Sequence, residues 1–264
     1  MIEIAFAGTI AENYEKYLRP VLFDKPAKDI TNRVPHSAGA ILELACGTGI
    51  VTEALKEKFP SAKITATDIN PDMLAVAQDK MQDSNIVWDV VNAEEIPYTD
   101  NSFDVVLCQF GIMFVPDKQK MVNEAFRVLK PGGKFIFNTW DEIKNVPATG
   151  IASEVITEFF KTDPPAFYTI PFSMYNPAEI KAYLENAGFK NISVENIKLE
   201  GTSPSPDDMA MGIVEGNPIY TEICQRGKNM LPAIKKSLSE KFAKAFGNTS
   251  LKIPLSLFVT EGTK

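Results

Sequence analysis

Four positions in the first part of the chain have the residue types and spacing for shared chemistry: Glu43, Gly47, Gly49 and Asp68. The run Ile41-Leu42-Glu43-Leu44-Ala45-Cys46-Gly47-Thr48-Gly49 puts a carboxylate in an apolar stretch and two glycines just beyond it. Glycines there let the backbone turn tightly and approach a ligand without an intervening Cβ. A third glycine would complete the dinucleotide fingerprint G-x-G-x-x-G, but the chain has Thr52, which argues against a pyrophosphate turn on a helix N-terminus. No Gly-Lys-Ser/Thr follows, so the loop is not a P-loop either. Asp68 ends the next apolar stretch 19 positions after Gly49, where a carboxylate can accept hydrogen bonds from both hydroxyls of a ribose. The footprint is that of a nucleoside without a diphosphate.

The elements that position these residues follow from hydrophobic patterning. Ala40 to Ala45 reads as a strand buried on both faces, and Val51, Leu55 and Phe59 recur at helical spacing until Pro60. Lys63–Asp68 reads as a second strand, and Asn70-Pro71 caps a helix running to about Met81. Further strands are expected at Ile86–Val91, Phe103–Gln109 and Lys134–Trp140, with a helix from Asp117 to Leu129 stopped by Lys130-Pro131-Gly132-Gly133. Beyond Asp141 the alternation fails: a helix near Ala152–Phe160, an aromatic and proline-rich loop, a helix from Asn176-Pro177 to Ala187-Gly188, and helices to about Phe246. Ile192–Leu199 and Ile253–Thr260 supply two late strands. The expected fold is a Rossmann-like, seven-stranded, mostly parallel sheet with helices on both faces. We expect one domain over residues 1–264, with a helical lid at 1–36 that Pro20 and Pro26 interrupt. A binding core at 37–140 and helical insertions after the fifth strand, within 141–264, would complete it.

Composition narrows the function classes. A net charge of −7 is unlike a chain whose task is neutralising phosphates, so nucleic acid is not an expected partner. Cys46, Cys108 and Cys224 form no CxxC pair, and with His36 as the one imidazole neither a disulfide framework nor a metal site is suggested. The opening Met1–Gly8 has no basic, apolar leader, and no run is long enough to span a membrane. A cytoplasmic location is expected.

Four motifs in order carry a family resemblance: Glu43 to Gly49, Thr67-Asp68-Ile69-Asn70-Pro71-Asp72-Met73-Leu74, Asn92-Ala93-Glu94-Glu95-Ile96-Pro97, and Leu129 to Gly133. Together they resemble the class I S-adenosylmethionine-dependent methyltransferases, in the branch that includes the ubiquinone/menaquinone C-methyltransferases. The segment Ala11–Tyr17, with Tyr14, resembles the N-terminal lid of that branch. The resemblance implies S-adenosylmethionine as methyl donor, leaving S-adenosylhomocysteine. It places Glu43 near the methionine amino group, Gly47 and Gly49 along the methionine and ribose, and Asp68 on the ribose hydroxyls. Ile69 and Met73 would sandwich the adenine, Asn92, Ala93 and Glu94 would lie at its amino edge, and Gln109 and Phe110 would border the methyl group. Two positions depart from the pattern. Ala45 stands where glycine is frequent, tolerable if its φ is not positive, and Asn92 replaces an Asp.

A sulfonium methyl is already activated, so the protein has chiefly to align an acceptor and exclude water. No general base stands out. His36 reads as a loop residue, and Cys108, inside an apolar strand, reads as core rather than as a covalent nucleophile. Lys235, Lys236, Lys241 and Lys244 read as a solvated helix face. Phe167, Tyr168, Phe172, Met174 and Tyr175 suit either an acceptor pocket or lid core. Cys108-Gln109-Phe110-Gly111 is unlike the Asp/Asn-Pro-Pro-aromatic motif of enzymes that methylate base amino groups. The expected partner is a small apolar or aromatic acceptor, methylated on carbon or oxygen, and a homodimer is compatible with the sequence. Two rivals are a non-catalytic S-adenosylmethionine-binding regulatory module and a nicotinamide-dependent reductase, the latter disfavoured by Thr52.

Overall fold

A computed structural model of the protein describes residues 9–82 and 85–264. The opening residues 1–8, expected to carry no leader, lie outside the described residues. The chain divides into two compact units: residues up to Lys25 with Glu142–Ser173 and Lys198–Ser256, and Pro26–Asp141 with Met174–Ile197 and Leu257–Lys264.

Among the described residues seven strands form one sheet: β1 (Ala40–Leu44), β2 (Lys63–Asp68), β3 (Ile86–Val90), β4 (Phe103–Gln109), β5 (Leu129–Trp140), β6 (Lys190–Ser203) and β7 (Leu251–Thr263). Their order is β3-β2-β1-β4-β5-β7-β6. β1 to β5 pair in parallel, and β7 runs antiparallel to β5, giving the mostly parallel sheet expected. Strand order reverses beside β1, because β2 lies on one side of it and β4 on the other. In an open α/β sheet, ligands bind outside the carboxyl ends of the strands at such a point. The glycine loop leaves β1 there.

The helices α1 (Ile50–Lys58), α2 (Pro71–Lys80), α3 (Lys118–Val128) and α4 (Pro177–Ala187) start and stop where the chain's polar and glycine punctuation dictates. The side chains of Asn70, Asp117 and Asn176 each accept a hydrogen bond from a backbone N–H in the first turn of the following helix, and Gly188 ends α4 at φ 98°. The core under the site is apolar on both faces of β1, where Ile41, Leu42 and Leu44 are fully buried. It continues through Ile64, Leu107, Phe135 and Phe137.

One local expectation differs from what is observed. Lys130 to Gly133 does not stand outside the fifth strand but forms its beginning. Leu129 pairs with Phe103 and Lys134 with Val105, and between them the strand bulges, Gly132 standing at φ 80°; Gly132 N–H donates to the Lys264 carbonyl and Lys264 N–H to the Gly133 carbonyl, so the turn-prone residues are tied into the strand by a residue far away in sequence. The N-terminal helical stretch is divided near Pro20 and Pro26 as expected, with Phe23 in a turn between the last two helices. Pro20 opens the Arg19–Leu22 helix and Pro26 lies in the first turn of Asp24–Asn32, where a missing N–H costs nothing.

In the other unit the N-terminal stretch includes a π-helical turn at Tyr14–Leu18. It lies against glycines. A Cβ on Gly201 would fall 1.8 Å from the Val21 carbonyl oxygen, and one on Gly212 would fall 2.8 Å from the Tyr17 carbonyl carbon. Phe167, Tyr168 and Phe172 are buried with rings 5.6 and 6.3 Å apart. Lys235 pairs with Glu215, and Lys241 with Glu158 at 3.1 Å, so these lysines form ion pairs on a helix surface rather than a bare basic patch.

Candidate active site

β1 carries Glu43 into the interior, where 1% of it is exposed. Its partner is the residue that replaced the third glycine. Thr52, fully buried in the first turn of α1, donates from Oγ1 to Glu43 Oε2 at 2.6 Å. Burial pushes the Glu43 carboxyl up to about 8; the Thr52 hydroxyl pulls it back down, and the Asp68 charge adds to the rise.

Asp68 ends β2 beside it. Its Oδ2 accepts from Gly47 N–H and its Oδ1 from Asn70 N–H, both at 2.8 Å, so one carboxylate ties the glycine loop to the start of α2. Burial raises the Asp68 carboxyl, against the pull of the Asn70, Gly47 and Ile69 N–H groups. Gly47 and Gly49 both have positive φ, 57° and 80°. A Cβ at Gly49 would lie 2.5 Å from Met81 Cε and 3.1 Å from Ala77 Cβ, so glycine is required there on two grounds. Met73 Cε lies 3.5 Å from the Cβ position of Gly47, and Ile69 is 67% exposed next to Asp68.

The remaining expected residues of this unit lie at the same end of the sheet. Val91 N–H donates to the Asp68 carbonyl, bringing the end of β3 to β2. The next residue, Asn92, is exposed and turns the chain by accepting at Oδ1 from Glu94 N–H at 2.9 Å, with Ala93 between them. Glu94 Oε1 accepts in turn from Asp117 N–H. Gln109 ends β4, and Phe110 follows at φ 50°, its N–H donating to Asn138 Oδ1 at 2.9 Å and its ring stacked on Trp140 at 4.0 Å. Tyr14 belongs to the other unit, where it stacks on Phe23 at 4.8 Å.

Ala45 does not meet the condition under which it was tolerable: its φ is 53°. It adopts the left-handed conformation that glycine would take without strain, and its Cβ occupies space that Gly111 leaves open, 2.4 Å from where a Gly111 Cβ would stand. Cys108 is fully buried, and burial pushes its thiol up to about 12, so it is no thiolate nucleophile. His36 is exposed beside the Phe59 ring. Among the described residues no group of His, Cys, Asp and Glu could hold a metal ion.

Two buried carboxyl groups, glycines that admit a ligand against the backbone and an exposed isoleucine fit a cationic nucleoside. No ion pair to Glu43 or Asp68 exists among the described residues to neutralise them from within.

Comparison with known proteins agrees. Residues 42–137 match the family described as methyltransferase domain. The ubiquinone/menaquinone biosynthesis C-methyltransferase of Rickettsia felis is 31% identical over 191 residues, covering 64% of this chain and 75% of that protein. The chain is a class I S-adenosylmethionine-dependent methyltransferase of that branch. The 2-methoxy-6-polyprenyl-1,4-benzoquinol methylase, mitochondrial, of Caenorhabditis elegans is 31% identical over 180 residues, 62% of this chain and 63% of that one. A Haemonchus contortus phosphoethanolamine N-methyltransferase, solved with phosphomonomethylethanolamine and S-adenosylhomocysteine, shares the fold with a TM-score of 0.58 at 20% identity, over 91% of this chain and 52% of that one. The methyl donor of this methyltransferase is S-adenosylmethionine. No described helix is long and apolar enough to cross a membrane.

The sequence reading missed Thr52, Asn138 and Trp140. Thr52 left a signal, since Ile50, Val51 and Thr52 open a helix whose first turn must bury a hydroxyl against β1. Asn138 left one too, a lone amide inside the apolar run Phe135–Trp140. Their roles depend on strand register, which the sequence does not print.

Proposed function

We propose that the protein transfers a methyl group to a ring carbon of a small, apolar aromatic acceptor of the quinol type, in the cytoplasm. One observation carries the acceptor class. The likeness to the Rickettsia felis C-methyltransferase extends over 64% of the chain, beyond the 42–137 stretch that defines the family at large. Part of the chain after β5 thus falls within the likeness to a protein named for acting in quinone biosynthesis. Free Cys46, Cys108 and Cys224, with no disulfide among them, support a reducing compartment.

Bound S-adenosylmethionine supplies a methyl group on a positively charged sulfur. The chain's own residues do the rest: Glu43 faces the ammonium and sulfonium charges, and Asp68 holds the ribose while keeping Gly47 in place. Ile69 and Met73 enclose the adenine, with Asn92, Ala93 and Glu94 at its edge. Gln109 and Phe110 border the path of the methyl group, and the Phe110–Trp140 stack keeps water from it. Catalysis is then alignment in a dry site, with the electron-rich ring carbon as nucleophile.

The test is incubation with S-adenosylmethionine and a short-chain 2-methoxy-1,4-benzoquinol, followed by mass spectrometry and NMR of the product. A new ring-carbon methyl is expected. Methylation at oxygen, or none across a panel of quinols by protein that binds S-adenosylhomocysteine, would refute the assignment.

A further inference from the structure

Register places four polar residues on one face of the sheet. Glu43 pairs with Ala66 and with Leu107, and Leu107 pairs with Ile136. Two positions further along each strand, on the same face, stand Asp68, Gln109 and Asn138, and Gln109 and Asn138 are themselves register partners. The first two carboxyl groups belong to the donor site described above. The last two side chains are polar for a reason that the donor does not supply.

The Asn138 amide is fully buried and its orientation is fixed. Phe110 N–H can only donate, so the atom that it meets at 2.9 Å is the amide oxygen, which leaves Nδ2 as a donor. Among the described residues that donor has no partner, and Gln109 Oε1, enclosed on the neighbouring strand, has none either. An unpaired donor and an unpaired acceptor side by side each cost desolvation energy, and they do not bond each other. They flank the stacked rings of Phe110 and Trp140 at the carboxyl end of the sheet.

We infer that Gln109 Oε1 and Asn138 Nδ2 together bind one hydroxyl group on the aromatic ring of the acceptor. A hydroxyl accepts and donates at a single atom, so it satisfies both residues at once. An ether satisfies only Asn138, and an anionic group would meet the Gln109 lone pairs and the field of Glu43 and Asp68. The pair thereby selects neutral, hydroxylated rings over masked or carboxylated ones, and holds the ring by a group whose electrons enrich its neighbouring carbons. This inference rests on the proposed acceptor class and sharpens it.

The experiment uses two probes with the same apolar ring, 1-naphthol and 1-methoxynaphthalene, titrated into protein saturated with S-adenosylhomocysteine. The natural protein is expected to bind 1-naphthol about tenfold or more tightly than the ether. Gln109→Met is expected to bring that ratio close to one, and Gln109→Glu, which keeps an acceptor oxygen, to retain part of it. Equal affinities in the natural protein, as a pair satisfied by buried water would give, overturn the inference, as does the absence of binding by both probes. That comparison needs no variant to fold. Failure of S-adenosylhomocysteine itself to bind would instead count against the donor site and is read separately.

Discussion

Thr52→Val removes the hydroxyl that donates to Glu43 and leaves a side chain of nearly the same shape, so its effect isolates one hydrogen bond. Glu43 sits at about 8, so at neutral pH it is mostly protonated in the free protein and has to ionise to face a cationic ligand. The groups around it add no cation: Asp68 on β2 and the neutral thiols of Cys46 and Cys108 on the loop and β4. A hydrogen bond to a charged acceptor contributes roughly 1.5–3 kcal/mol, so its loss should raise the carboxyl by about 1–2 pKa units. At neutral pH the affinity for S-adenosylhomocysteine should then fall by about 10- to 100-fold. Calorimetry across pH 6 to 9 reads this directly. The natural protein should release close to one proton per ligand bound near pH 7. Its affinity profile should be a bell, the alkaline limb belonging to the ligand's own amino group. Thr52→Val should move only the acidic limb, upward, and Thr52→Ser should restore it. 5′-Methylthioadenosine, which lacks the amino acid arm, should show no such limb. An unchanged acidic limb in Thr52→Val, or no proton release by the natural protein, would refute the coupling.

Other perturbations test neighbouring parts of the same structure. Because the folded state raises the Glu43 pKa from 4.5 to about 8, it binds more protons than the unfolded chain, and stability should be full below pH 4.5 as far as this group is concerned and decline towards pH 8. The loss is at most about 5 kcal/mol; thermal unfolding of the free protein against pH should show it, with S-adenosylhomocysteine reversing part of it. Ala45→Gly relieves roughly 1–2 kcal/mol of left-handed strain, but it returns about 0.4–1 kcal/mol of freedom to the unfolded chain and empties the space beside Gly111 at a cost of about 1 kcal/mol, so a net change within about 1 kcal/mol of zero is expected in denaturant titration. Gly111→Ala alone should destabilise, because its Cβ would stand 2.4 Å from that of Ala45 and 2.8 Å from Cys108 Sγ, and Ala45→Gly should partly rescue it. Asp68→Ala leaves the Gly47 and Asn70 N–H groups without their acceptor and should weaken S-adenosylmethionine binding about 100-fold or more by calorimetry; normal binding would refute the ribose assignment.

What the sequence disclosed about this molecule was governed by the range of the interactions involved. β1 was legible because burial on both faces leaves an apolar run broken only by Glu43, and α2 and α4 because Asn-Pro writes a cap and a first turn into consecutive residues. Lys130 to Gly133 was legible as the end of a helix but not as a bulge inside the fifth strand, because what ties it there is Lys264, far away in sequence. The same distinction runs through the site. Gly47, Gly49 and Asp68 announce themselves locally, since a positive φ and a strand-end carboxylate are demands of the immediate backbone. Thr52 was seen as the absence of a glycine when its function is a hydroxyl set against a strand nine residues earlier, and Asn138 becomes interpretable only when β4 and β5 are laid in register. Ala45 shows the converse. Alanine there was tolerable only on condition that φ is not positive, yet the chain keeps it at φ 53°, and its Cβ fills what Gly111 leaves empty. The two positions form one packing unit, so a family pattern read one column at a time assigns a defect where the structure has made an exchange.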